Sequence, residues 1–401
     1  MTIGAFTKWA VAAALAWCVA AARAQEVTNI GSWAGSAWLE RITYANGLFL
    51  AAAGTFRQSP AGATATSTDG LYWTPHTPTG SPIVGTVWAL APGPDNFVAV
   101  GDRRTYWEDP SGTNGFIQLS ADGVTWGAQT ITPLTPLRGV AYGHGTYAAV
   151  GVKAGVAAVL TSSDGVLWAT RSFPGYGGLD SIALGGGTFV AVGDAGTILT
   201  SADGTGWLAQ TAPASGAIYY VGYADGMFQA GQADVGEPAS PWHLLTSSHG
   251  TNWMASGALL QGPFAYANGL YVGIGRGGND VGASTNGADW VTLWELGPIA
   301  EGGALSIAYG AGQFDVLLAF GAIVAFGPRA SLGCVGETTG AADLTLTGGW
   351  LGMEGRLQAS TNLSTTNWTT LLSFTNSGSV VPLRDPGASN YTRRFYRAAI
   401  P

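Results

Sequence analysis

The sequence predicts an all-β protein, a seven-bladed β-propeller closed by its N-terminal strand and followed by a small sandwich-like β-domain. Three observations lead there. A unit of four short strands recurs seven times, six of the units end in a Ser-x-(Asp/Asn/His)-Gly-x-x-Trp segment, and after about residue 329 that pattern gives way to different short strands. The composition agrees: 62 Gly and 16 Trp in 401 residues, only 10% of them charged, suit many short strands joined by tight turns.

Residues 1–24 read as a secretory leader. Lys8 gives the positive start, Trp9 to Ala22 the apolar run, and Ala22-Arg23-Ala24 the small-x-small cleavage signal, so the mature chain is expected to begin at Gln25. An apolar run of about 14 residues is short for a membrane span, and no later segment reaches the roughly 18 that suggest one. The expected product is a soluble, exported monomer, secreted or periplasmic. Loss of Lys8 and Arg23 with the leader moves the formal charge from -8 to -10 and leaves Lys153 as the last lysine. A nucleic-acid partner needs clustered Lys and Arg, so that class is excluded. With Cys18 gone, Cys334 stands alone, which excludes an intrachain disulfide and a cysteine metal cluster. Neither a cofactor nor a metal is expected.

The clearest copy of the unit is Ser181-Ile-Ala-Leu-Gly-Gly-Gly-Thr-Phe-Val-Ala-Val-Gly193, continued by Thr197-Ile-Leu-Thr-Ser-Ala-Asp-Gly-Thr-Gly-Trp207. It fits four strands, A to D from the axis outwards. Strand A recurs at Ile42-Thr-Tyr44, Val87-Trp-Ala-Leu90, Val140-Ala-Tyr142, Ile182-Ala-Leu184, Val221-Gly-Tyr223, Phe264-Ala-Tyr266 and Ile307-Ala-Tyr309, at intervals of 39 to 53 residues. The A to B hairpins close at dipeptides such as Asn46-Gly47, His144-Gly145 and Asp225-Gly226, which tolerate positive φ angles. The C to D segments pair Asp69 with Trp73, Asp122 with Trp126, Asp164 with Trp168, Asp203 with Trp207, His249 with Trp253 and Asn286 with Trp290. Their third residue, always Asp, Asn or His, is expected to sit left-handed beside its Gly.

These segments resemble the box of the Asp-box (BNR-like) propellers, the group that contains sialidase-type enzymes and the photosystem II assembly-factor propellers. That box runs Ser-x-Asp-x-Gly-x-Thr-Trp. The resemblance implies an Asp that holds the C to D turn and a Trp wedged between blades. This chain departs by one residue fewer between Asp and Trp. The resemblance covers about 300 residues and speaks to fold rather than function.

The seventh unit runs from Ser306 to Phe326 and stops before any box, so its strand D is missing. The segment Val27-Thr-Asn-Ile-Gly-Ser-Trp33 ends in the expected Trp. Pairing it with Ile323 to Phe326 would close the ring and remove two free sheet edges. The propeller is thus expected over residues 25–328 and the C-terminal domain over 329–401, with strands at 343–347, 356–360, 368–374, 379–383 and 394–399. Within that domain Gln358-Ala-Ser-Thr-Asn-Leu363, Asn367-Trp368 and Arg394-Phe-Tyr-Arg397 resemble a tail module of secreted proteins from environmental bacteria, which implies export.

The box aspartates Asp69, Asp122, Asp164 and Asp203 are read as structural. One copy per blade at a turn is what a repeat fold demands, whereas a site brings unlike residues together. His76, His144, His243 and His249 are scattered, two of them at hairpin turns, and no Gly-x-Ser-x-Gly elbow is present. Gly273-Ile-Gly275-Arg-Gly-Gly278 matches the dinucleotide fingerprint but falls between strands B and C, without the helix that mechanism requires.

Candidate ligand-binding residues lie in the B to C loops, which are unequal. The loop of blade 4 runs only from Gly193 to Thr197, while that of blade 2, Asp102 to Gly115, carries Arg103, Arg104, Tyr106 and Trp107. Arg57, Trp242, Arg276 and Asp280 occupy the equivalent loops. Aromatic faces beside Arg and carboxylates suit sugars or peptide side chains, and loops concentrate binding residues. The plain alternative is an irregular solvated insertion. A second set, Tyr176, Tyr219, Tyr220 and Trp294, is placed in the D to A connections. The expected function is non-enzymatic binding or scaffolding of a glycan or protein through this loop face. A sialidase-type hydrolase would need Arg57, Arg103 and Arg276 around a substrate carboxylate, yet the early Arg-Ile-Pro signature is absent and Glu is scarce. An assembly factor of a membrane complex follows from the resemblance alone.

Overall fold

The structure is a computed structural model that describes residues 26–29, 39–53, 63–76, 79–80, 83, 85–102, 115–129, 136–213, 215–233, 242–260, 262–275, 280–295, 304–318, 322–326, 331–338, 341–347, 354–361, 368–375, 380–390 and 395–399. The expected leader, residues 1–24, lies outside the described residues. No helix among those described is long and apolar enough to cross a membrane. The chain divides into two compact units. One holds Glu26–Gly310 with Asp315–Val324, and the other holds Ala325–Pro401 with Ala311–Phe314.

Among the described residues, seven sheets of four or five strands follow one another along the chain. Their A strands are Arg41–Ala45, Thr86–Pro92, Leu137–Gly143, Leu179–Gly185, Ile218–Ala224, Phe264–Ala267 and Ala304–Gly310. Each contacts the A strand of the next sheet, and the last contacts the first. Within the fourth sheet the order is Leu179–Gly185, Thr188–Gly193, Ile198–Ser201 and Leu208–Gln210, all antiparallel. The second sheet has an unforeseen fifth strand: Thr79–Gly80 runs parallel to Thr125–Gln129 along its outer edge. In the last sheet Glu26–Asn29 lies beside Ala322–Phe326, where strand D was missing. The remainder of that expected segment, residues 30–33, falls outside the described residues.

Local chemistry accounts for these elements. Asn46, His144, Asp225, Asn268 and Ala311 adopt φ between 47° and 53°, each followed by a Gly, as two-residue hairpins with the right twist require. The B strands show no polar alternation because both of their faces are covered. Phe97–Asp102 and Thr188–Gly193 are buried along nearly their whole length, the pattern of a strand packed on both sides. The packing clusters mix adjacent sheets: Trp207 sits with Ala148, Val150 and Ala157 of the third sheet and Phe189 of its own.

The C to D turns correct one expectation. The left-handed residue is the Gly (φ 71° at Gly70, 79° at Gly204), while Asp69, Asp122, Asp164 and Asp203 do not have positive φ. The Asp works as an acceptor instead. Asp164 Oδ1 takes the backbone N–H of Val166 at 2.8 Å and of Leu167 at 2.9 Å, and the Ser162 hydroxyl donates to it at 2.9 Å. Ser162 Oγ in turn accepts the Gly165 N–H at 2.8 Å, and Trp168 Nε1 donates to the Gly165 carbonyl at 2.8 Å. Asn286 reproduces this turn with its amide oxygen. In the fifth sheet His249 leaves only the Ser247 and Trp253 bonds of the set in place.

The second unit has two three-stranded sheets, Ser331–Thr338 with Ala341–Thr347 and Val380–Asp385, and Thr369–Thr375 with Glu354–Ser360 and Phe395–Ala399. The sequence reading missed Ser331–Thr338. Gly333 and Gly336 interrupt its alternation, and a register shift between Cys334 and Gly336 breaks its period against the neighbouring strand.

Candidate functional site

Most of the loop residues singled out by sequence, Arg57, Arg103, Arg104, Tyr106, Trp107 and Arg276, lie outside the described residues. Two others are placed differently from the expectation. Trp242 opens strand C of the fifth sheet, Trp242–Ser247, and Asp280 opens strand C of the sixth, Asp280–Ser284, so both sit at loop ends inside the ladder. Of the second set, Trp294 lies within the D strand Val291–Glu295, not in a connection, while Tyr219 and Tyr220 belong to the A strand Ile218–Ala224. Tyr176 does follow a D strand, with its N–H bonded to the Phe173 carbonyl at 3.2 Å.

A concave site forms at the end of the axis where the chain enters each A strand. Its cavity is about 350 Å³, lined by Arg41, Trp88, Arg138, Asp180, Tyr219 and Tyr220 with small and apolar neighbours. A repeated irregularity in the A strands builds it. The A to B register shifts between Val87 and Ala89, between Leu137 and Gly139, between Leu179 and Ser181, and between Ile218 and Tyr220. The extra residue is Trp88, Arg138, Asp180 or Tyr219. A β-bulge leaves one residue out of the ladder and re-aims its side chain, and here all four line the cavity. Glycine commonly faces the bulge. A Cβ on Gly193 would lie 1.9 Å from the Gly178 carbonyl oxygen, so no larger residue fits without moving backbone.

In four of the seven A strands the side chain at the next position bonds to the following sheet. Arg41 Nε donates to the Trp88 carbonyl at 2.6 Å, Ser181 Oγ accepts the Val221 N–H at 3.2 Å, Tyr220 donates its hydroxyl to the Phe264 carbonyl at 3.4 Å, and Ser306 Oγ accepts the Ile42 N–H at 3.3 Å. Both positions line the cavity, and the second also joins neighbouring sheets in these four blades.

The electrostatics are concentrated on one side. The guanidinium of Arg41 lies 5.7 Å from the Trp88 ring centroid and that of Arg138 5.4 Å from it, within the range of cation–π attraction. Arg138 Nε faces Asp180 Oδ1 at 3.4 Å. Burial pushes the Asp180 carboxyl up to about 6; Arg138 opposes that shift and Asp194 adds to it. Burial also raises Tyr220 to about 12 and lowers Arg41 from its ordinary value. Chemically the arrangement offers fixed cationic donors, aromatic faces and one titratable carboxyl in a concavity suited to binding an oriented polar group. Among the described residues no three His, Cys, Asp or Glu side chains gather as a metal site.

Sequence reasoning missed Arg41, Trp88, Arg138 and Asp180. The residues just before the repeated core differ from unit to unit, but so do Ser181, Tyr220 and Ser306, which join sheets, so variation alone did not mark the site.

No protein-family model matches the chain, and no curated protein is similar to it in sequence. Solved structures are similar in fold. The structure described as YCF48 bound to D1 peptide superposes with a TM-score of 0.53 at 13% identity, covering 76% of this chain and 95% of that one. A catalytically inactive variant of virginiamycin B lyase from Staphylococcus aureus, solved with quinupristin, gives 0.58 at 10% identity, covering 75% and 98%. The chain has a β-propeller fold. Its repeated sheets are propeller blades, and the cavity is an axial pocket on the face from which the B to C loops leave.

Proposed function

We propose that this propeller is a binding or scaffold protein rather than an enzyme, and that it takes a segment of a protein or glycan at the axial pocket. The observation that carries the reading is the convergence of four unlike side chains, Trp88, Arg138, Asp180 and Tyr219, from one bulged position of four blades. A repeat fold gains nothing in stability from varying one position so widely, and a bulge that turns these residues toward a cavity suits recognition. In this reading the seven blades form a ring closed by Glu26–Asn29, the turn segments act as Asp-boxes that fasten each blade, and the protein works outside the cytoplasm after loss of residues 1–24.

The test is to screen the purified mature chain against glycan and peptide arrays and to reassay hits with Arg138→Gln and with Trp107→Ala/Arg104→Ala. The axial reading expects Arg138→Gln to weaken a hit at least tenfold while the protein stays folded. A hit unaffected by Arg138→Gln but lost in the loop variant would move the site to the blade 2 loop. Turnover of a chromogenic sialoside would replace binding with hydrolysis.

A further inference from the structure

We propose that the axial pocket is a carboxylate site held shut by its own Asp180, and that protonation of this side chain opens it. The inference rests on the binding reading above. Arg138 and Asp180 come from the bulged positions of adjacent blades and face each other at 3.4 Å inside the cavity. Arg41 is committed to backbone, giving one N–H to the Trp88 carbonyl and another to the Glu40 carbonyl, both at 2.6 Å. Arg138 is not. Its buried Nε makes no hydrogen bond among the described residues, and it is held by the Trp88 ring and the Asp180 ion pair. A planar guanidinium in that state is suited to a bidentate carboxylate, and Asp180 occupies the place such a ligand would take.

Two carboxylates at one guanidinium repel each other, so an incoming one binds best when Asp180 carries a proton. The groups around Asp180 are Arg138 on the preceding A strand, Asp194 just beyond the B strand of its own blade, and Tyr219 and Tyr220 on the following A strand. Arg41 lines the same cavity. Burial and Asp194 favour the neutral carboxyl, against Arg138, and the balance puts its titration near 6. The pocket therefore gains one positive charge, and a free Arg138, as pH falls through that value. A peptide carboxylate and a uronic acid present the same chemistry.

The test is calorimetric titration of the mature chain with N-acetylglycine and with glucuronate at about pH 5 and about pH 7.5. Both probes titrate near about 3.5 and stay ionised throughout. Each bound probe is expected to weaken about 30-fold between the two conditions, as binding that needs a proton on a group of pKa about 6 must. Asp180→Asn should bind tightly at both pH values, and Arg138→Gln at neither. Tighter N-acetylglycine would mark a peptide source and tighter glucuronate a glycan source. Parent binding that ignores pH overturns the proposal. So does a folded Asp180→Asn that binds neither probe or keeps the full pH dependence. An array ligand lost in Arg138→Gln yet indifferent to pH would sink this gate alone. One indifferent to Arg138→Gln would sink the axial reading as well.

Discussion

Trp88 Nε1 donates a hydrogen bond to Asp102 Oδ2 at 2.8 Å, tying the bulged residue of an A strand to the last residue of the B strand from which the longest B to C loop leaves. Asp102 is fully buried. The bond fixes the indole within reach of the two guanidiniums and fastens the root of that loop in one contact. Trp88→Phe keeps an aromatic ring there but removes the donor from a buried carboxylate. It should lower stability by about 1–3 kcal/mol in denaturant unfolding, and a stability equal to the parent's would show that Asp102 does not depend on this bond.

The blade tryptophans should matter far more than the turn aspartates beside them. Trp207 is buried between the third and fourth blades, so Trp207→Ala is expected to cost about 3–5 kcal/mol. Asp164 is exposed and acts through two backbone N–H bonds that an Asn amide oxygen also accepts, as Asn286 demonstrates. Asp164→Asn should therefore shift the thermal midpoint much less. Equal shifts would mean that the carboxylate charge does more than hold the turn.

Stability should fall as pH rises from about 4 to about 6. The folded-state value of Asp180 is raised above the ordinary aspartate value, so the folded protein binds the proton more tightly than the unfolded chain does. The penalty for burying the charge is absent below the unfolded value near about 3.9 and complete above the folded one at about 6. A shift of this size corresponds to roughly 2–3 kcal/mol. In Asp180→Asn this fall should be absent, so the parent's thermal midpoint should drop relative to the variant's across the window. The box residues Asp164 and Asp203 act in the opposite sense: backbone N–H bonds hold both below the usual range, so their contribution is lost on acidification through and below that range. A parent whose midpoint does not fall relative to that of Asp180→Asn from pH 4 to 6 would contradict the Asp180 assignment.

Removing Glu26–Asn29 takes the outermost strand from the last sheet and leaves the edge of Ala322–Phe326 open. The chain without this strand should lose several degrees of thermal midpoint and aggregate at concentrations where the parent does not. An unchanged midpoint and solubility would show that this strand contributes little to its sheet.

Gly193→Ala tests the bulge itself. The added methyl would lie 1.9 Å from the Gly178 carbonyl oxygen, a backbone atom that cannot swing aside, and should cost more than Gly187→Ala in the neighbouring hairpin, where only the positive φ of 81° resists and no atom lies within 4 Å. The reverse order in unfolding experiments would mean that the bulge relaxes freely.

The repeat was legible from the sequence because its chemistry is local. A dipeptide such as Asn46-Gly47 selects its hairpin through its own φ angles, and Ser162, Asp164, Gly165 and Trp168 satisfy one another within a single short turn. The strand Ser331–Thr338 escaped because its glycines and bulge erase the period on which such a reading depends. Arg41, Trp88, Arg138 and Asp180 were hidden for a different reason. Each is a full repeat away from the next along the chain, and no short-range rule joins Arg138 to Asp180; only the stacking of successive blades brings them to 3.4 Å. Local hydrogen bonding and turn geometry thus determined the blade, while the arrangement of blades around the axis decided which side chains meet and lifted a carboxyl out of its ordinary range by withdrawing it from water.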